Sequence, residues 1–152
     1  MASRTLVLDA NILIRAVLGR RVRAIMADFA GQATLLVPAE AYREAQDQLP
    51  EILAKRRAGS GPELAALHEL DGLVQVVDTD DYLQLRDEAM TRIGRRDPDD
   101  WPVLALALAA DSPVWTEDQD FFGTGVATWT TDRVEIYLGN ASRAGAARRS
   151  AP

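Results

Sequence analysis

Short apolar runs alternate with amphipathic stretches along this chain, and that alternation predicts its architecture. "TLVL" (5–8) is apolar and partly β-branched, the pattern of a strand buried on both faces. Ile12, Leu13, Ala16 and Val17 then fall at helical spacing, and a second helix is expected over 21–29, stopped by Gly31. "TLLV" (34–37) reads as a second strand. Pro38 suits the first turn of the helix after it, where its missing N–H would be unpaired anyway. "AKRRAGSGPELAALHEL" predicts a helical hairpin broken at "GSGP", occupying about 50–72. "LVQVV" (73–77) is a third strand, and 78–93 a helix that opens on acids and carries Tyr82, Leu85, Ala89 and Ile93 at helical spacing. "DPDDWPVLALALAA" also opens on acids but is apolar nearly all round, so this helix should be deeply buried. "SPVWT" (112–116) and "GVATWT" (125–130) complete the strands, and "TDRVEIYL" is a closing helix with Thr131 or Asp132 as its cap. The order implies an α/β fold in three layers, a mainly parallel central sheet of four to five strands with helices on both faces.

The length of 152 residues fits one domain with a real core, expected over 1–139. Residues 140–152 are small, basic and poor in large apolar side chains, and read as a flexible tail. There is no internal repeat, no run long enough to span a membrane and no pattern of a secretory leader, so a cytoplasmic protein is expected. The absence of cysteine excludes disulfides and cysteine-held zinc. A net charge of -6 argues against a polyanionic partner. The positive charge is clustered, however: Arg15, Arg20, Arg21 and Arg23 form one group, and Arg92, Arg95 and Arg96 another. Each group reads either as a solvated face or as a set of phosphate contacts.

The acids change the picture more. In an open parallel sheet, ligands bind outside the carboxyl ends of the strands. Asp9 ends the first strand, Glu44 lies in the helix after the second, and Asp118 follows the fourth. Asp100 stands at the start of the buried helix that leads into that strand. Each alone reads as well as a strand end, a cap or a turn residue. Together on one sheet edge they are a different matter, because four converging carboxylates cannot all stay ionised without compensation. Magnesium and manganese prefer such oxygen ligands. They also make water nucleophilic and stabilise a phosphoryl group under attack, so the chemistry implied is metal-assisted phosphodiester hydrolysis.

These residues resemble a known family. "LVLDANILI", "VPAEAYREA", "DPDDWPVLALALA" and "VWTEDQDFF" occur in the order and with the spacing of a PIN-domain protein, across roughly residues 4–138. The resemblance implies an endoribonuclease dependent on Mg²⁺ or Mn²⁺. It makes Asp9, Glu44 (rather than Glu40), Asp100 and Asp118 the catalytic metal ligands, with Asp120 as an auxiliary ligand. Asn11 and Thr116 would support them by hydrogen bonding. Asp97 and Asp99 remain alternatives to Asp100, since the family needs only one acid there. Many members of this size resemble VapC-type toxins, which implies an antitoxin protein and a homodimer as partners, with the hairpin at 50–72 as the place of contact. Arg15, Arg20, Arg21 and Arg23 would then guide the RNA backbone.

Two other readings stand beside this one. A non-catalytic PIN-like module would bind RNA or protein without cleaving. A haloacid-dehalogenase-like phosphatase would also begin with a strand and an aspartate, but it needs a second acid where Asn11 stands. His68, the lone histidine, reads as a partly exposed helix residue rather than a base. Trp101 reads as packing, or as a platform for a base. In "VWTEDQDFF", Glu117 should point away from the cluster, and Phe121 and Phe122 should anchor the turn.

Overall fold

A computed structural model describes residues 4–55 and 61–139, with the side chains of 61–64 left aside. Five parallel strands form one sheet: β1 (Arg4–Leu8), β2 (Ala33–Pro38), β3 (Gln75–Val77), β4 (Val114–Trp115) and β5 (Thr128–Trp129). Their order is β3-β2-β1-β4-β5. Leu6, Val7 and Leu8 of β1 are fully buried, as expected of a central strand covered on both faces. The helices are α1 (Ala10–Leu18), α2 (Arg21–Asp28), α3 (Ala39–Lys55), α4 (Gly61–Glu69), α5 (Arg86–Ile93), α6 (Trp101–Ala110) and α7 over 134–139. The chain steps from β1 to β2 and β3 on one side and continues through β4 and β5 on the other. Right-handed crossovers therefore place α1 to α4 on one face and α5 and α6 on the opposite one. Pro102 to Ala107 of α6 are buried, and the helix packs on β1, β2 and β4. The strand order changes direction between β1 and β4, which opens a crevice outside their carboxyl ends. None of the described helices is long and apolar enough to cross a membrane.

Several local expectations are corrected. Pro38 closes β2 opposite Val77, and α3 begins at Ala39. That helix runs on through Pro50 to Lys55, because Leu49 and Leu53 keep it seated on the core on either side of the proline. Half of the expected hairpin break at "GSGP" (59–62) lies outside the described residues, its Gly61 and Pro62 instead open α4, and the expected tail lies outside from residue 140 on. The segment after β3 is not one helix from residue 78. Two 3₁₀ turns, Thr79–Asp81 and Leu83–Leu85, precede α5. The Thr79 and Tyr82 hydroxyls both donate to Glu40 of α3, which pins this segment before regular helix begins. Neither expected cap starts α7. Thr131 Oγ1 accepts from Trp115 Nε1 at 3.1 Å, and Asp132 pairs with Arg21 at 2.8 Å.

Candidate metal centre

A series of hydrogen bonds orders the acids at the crevice. Asp9 caps α1, its Oδ1 accepting from the Ile12 N–H at 3.0 Å. Its other oxygen accepts from the hydroxyl of Thr116, just past β4. Thr116 Oγ1 accepts in turn from the Asp118 N–H at 2.9 Å, and Asp118 Oδ1 from the Asp120 N–H at 2.9 Å. Each side chain thus fixes the backbone that presents the next carboxylate.

A second segment faces the first. Asp97 caps the 3₁₀ turn Pro98–Asp100, accepting from the Asp99 N–H at 3.0 Å. Asp97 is the extended cap of this turn and Asp100 its last residue, and the turn brings their carboxylates to one place. Asp97, Asp100, Asp118 and Asp120 each offer a carboxylate oxygen within 4.8 Å of all the others. Asp97 and Asp100 are alternatives in sequence, yet the turn brings both in. The signal for this is present in the chain: an Asp-Pro cap fixes a tight turn, and its i, i+3 spacing does the rest.

The electrostatics are those of a site short of positive charge. Burial pushes Asp9 up to about 6, aided by the charges of Asp118 and Glu44 and opposed by its hydrogen bonds. Burial also pushes Asp100 up, to about 8, together with Asp97, Asp118 and Asp9. Asp100 Oδ2 is buried with no hydrogen-bond partner. An orphaned carboxylate oxygen among four close acids is what a hard divalent cation satisfies, so the donor set fits Mg²⁺ or Mn²⁺.

Glu44 stands outside the group of four. It is exposed, accepts from Gln48 Nε2 at 2.9 Å, and is raised by burial and by Asp99 and Asp97. Its neighbour Glu40 is engaged by Thr79 and Tyr82 and lies below its ordinary value, held there by those hydroxyls against the opposing effect of burial. Asn11 is exposed and, among the described residues, makes no hydrogen bond to the acids. Glu117 does point away from them, but it is not idle: its carboxylate accepts from the Thr131 N–H at 2.7 Å. Phe121 is fully buried, whereas Phe122 is 49% exposed and anchors nothing.

The arginines divide by role. Arg23 turns inward to the Ala16 and Val17 carbonyls at 3.1 and 3.3 Å, stapling the end of α1. Arg21 is paired with Asp132. Arg15 and Arg20 are exposed, and their side chains make no hydrogen bond or ion pair among the described residues. They line a groove of about 730 Å³ together with Asn11, Ile14, Leu18, Val22, Glu117 and Asp132, and none of the four clustered carboxylates lines it. Arg92 and Arg96, unassigned from sequence, bind carbonyls of the 120–124 loop. His68 is 81% exposed at its side chain and touches Asp71, as a helix-surface residue would. Trp101 packs at 6.1 Å from Tyr82, with the Arg86 guanidinium 5.2 Å from its ring centre.

Comparison with known proteins accords with this geometry. Residues 7–139 match the PIN domain. Among solved structures, VapBC2 from Rickettsia felis bound to a promoter DNA fragment aligns with a TM-score of 0.65 at 13% identity, covering 83% of this chain and 98% of that one. PAE2754 from Pyrobaculum aerophilum aligns at 0.64 and 15% identity over 91% of both chains. FitAB bound to the IR36 DNA fragment aligns at 0.52 and 22% identity over 83% and 94%. No curated protein matches in sequence.

Proposed function

This chain belongs to the PIN-domain family, and from that premise we propose that it is an endoribonuclease dependent on Mg²⁺ or Mn²⁺. The observation that carries the reading is the buried, unpartnered Asp100 oxygen inside a group of four mutually close carboxylates. Asp97, Asp100, Asp118 and Asp120 would hold the ion, with Asp9 and Glu44 as acids beside it. A bound ion supplies Lewis acidity: it makes water nucleophilic near neutral pH and offsets charge building on the phosphate under attack.

The chain's own residues orient the site. Asp9 holds the Thr116 hydroxyl, Thr116 holds the Asp118 backbone, and Asp118 holds Asp120. Glu44 faces Asp97 and Asp99 from α3 and adds negative field at the rim. Arg15 and Arg20 bind flanking phosphates in the groove that begins at Asn11. Arg21 becomes available to the RNA only if it leaves Asp132. Removing one phosphate-binding arginine should lower the salt slope of RNA binding by about one. Arg15→Ala and Arg20→Ala should each do so, and Arg23→Ala should not.

RNA cleavage by wild type, Asp9→Asn and a chelator-treated sample tests the activity. Loss in the last two is expected, and undiminished cleavage in excess chelator would sink the proposal. The VapBC2 and FitAB likenesses support a toxin role with an antitoxin partner, and a second copy of this chain would be its other partner. An adjacent gene for a small DNA-binding protein supports that role, and a solitary gene counts against it.

A further inference from the structure

The four carboxylates come from two segments, 97–100 and 118–120, which like charge drives apart when no cation is bound. Hydrogen bonds across this gap leave from the last turn of α5 and the residues just after it. Arg96 Nη1 donates to the Asp120 carbonyl at 2.9 Å and to the Phe122 carbonyl. One turn earlier, Arg92 Nη1 donates to the Thr124 carbonyl at 2.8 Å, while its Nε donates to Glu88 at 2.9 Å. The receiving loop is shaped to admit both guanidinium groups. Gly123 and Gly125 adopt φ of +81° and +87°, which glycine takes without strain. A Cβ on Gly125 would lie 2.8 Å from Arg92 Nη1, and one on Gly123 would lie 3.4 Å from Arg96 Nη2.

Arg96 directly precedes Asp97, and the carbonyl it binds belongs to Asp120. It therefore ties one carboxylate-bearing segment to the other. We propose that Arg96, backed by Arg92, is a positioning residue that sets the spacing between Asp97 and Asp100 on one side and Asp118 and Asp120 on the other. This deepens the metal-centre reading and rests on it. The guanidinium bonds are to backbone carbonyls rather than carboxylates, so the contribution is geometry more than neutralisation. A planar guanidinium suits this fork, and a lysine ammonium serves it incompletely.

Equilibrium Mn²⁺ binding, read from the electron paramagnetic resonance of free Mn²⁺, tests the proposal alongside melting in excess chelator. Arg96→Met should weaken Mn²⁺ about tenfold. Its melting in chelator should move little, because the acids relax apart once released and this offsets the missing hydrogen bonds. Arg96→Lys should recover part of the affinity. Gly125→Ala, which keeps every charge, should also weaken binding by displacing Arg92. A merely structural arginine would lower the melting temperature in chelator and leave the affinity of the folded protein unchanged. Wild-type affinity in folded Arg96→Met overturns the clamp alone. Absence of Mn²⁺ binding in wild type at millimolar ion overturns the metal centre and the clamp with it.

Discussion

One turn of α3 separates two glutamates under opposite electrostatics. Glu40 receives two hydroxyl donors, from Thr79 and Tyr82, and these hold it below its ordinary value. Glu44 lies above its ordinary value, raised by burial and then by Asp99 and Asp97, and among the described residues the Gln48 amide is its one donor. The residue type, helix and face neighbourhood are nearly the same, so the difference comes from the surroundings. A carboxylate met by donors serves the fold, because its charge is already satisfied by hydrogen bonds. A carboxylate met by other carboxylates lacks a cation, and its proper state is defined only when one arrives. The Asp9 to Asp120 series combines the two. Its hydrogen bonds satisfy the backbone and aim the acids, and on the segment facing it Asp100 keeps a buried oxygen without a partner.

The sharpest break in the comparison is kinetic. Asp118→Asn should lower RNA cleavage about a thousandfold, since it removes charge where the ion and the reacting phosphate would meet. Glu44→Gln should cost about ten- to a hundredfold in cleavage, as outer partners of metal sites do, with unchanged melting in chelator. Glu40→Ala should reverse that pattern. Removing two charge-assisted hydrogen bonds should cost about 2 kcal/mol of stability by denaturant titration, with Mn²⁺ affinity retained.

The pH dependence separates the two kinds of acid again. Asp9 and Asp100 sit at about 6 and about 8 in the folded chain, against 3.8 ordinarily. The folded state therefore keeps protons that the unfolded chain has released. Their contribution to stability is full below about pH 4 and is lost as pH rises through 6 and then 8. Without metal, the protein should become less stable over that range. Mn²⁺ should restore stability most at the alkaline end, because binding releases those protons. Asp9→Asn, which can still cap α1 and carries no buried charge, should be less destabilised than wild type as pH rises to 8 in chelator, while abolishing cleavage. At the small end, His68→Ala should change melting by no more than about 0.5 kcal/mol and leave cleavage intact.

The strands are legible in the sequence because each is a short apolar run between turn signals, and parallel pairing follows once helices intervene. The acids at the strand ends follow from the same pattern. Glu44 over Glu40 comes from the family resemblance. That Thr79 and Tyr82 engage Glu40 depends on contacts 39 and 42 residues away in sequence. Such contacts leave no local periodicity. The same limit hides Arg96, which looks like any solvated arginine until the loop 24 residues onward receives it. The 3₁₀ start of the segment before α5 is hidden because Tyr82, Leu85, Ala89 and Ile93 also satisfy helical spacing. Arg23 looks equivalent to its neighbours because charge clustering carries no direction.

The position of a bound divalent ion decides the metal-centre reading, and anomalous diffraction from crystals grown with Mn²⁺ reports that position. An anomalous peak is expected among Asp97, Asp100, Asp118 and Asp120, at about 2.1 Å from at least two carboxylate oxygens, with the Asp100 oxygen engaged and no peak at Glu40. A protein saturated with Mn²⁺ that shows no peak between those four carboxylates, or shows it elsewhere on the chain, would contradict the reading.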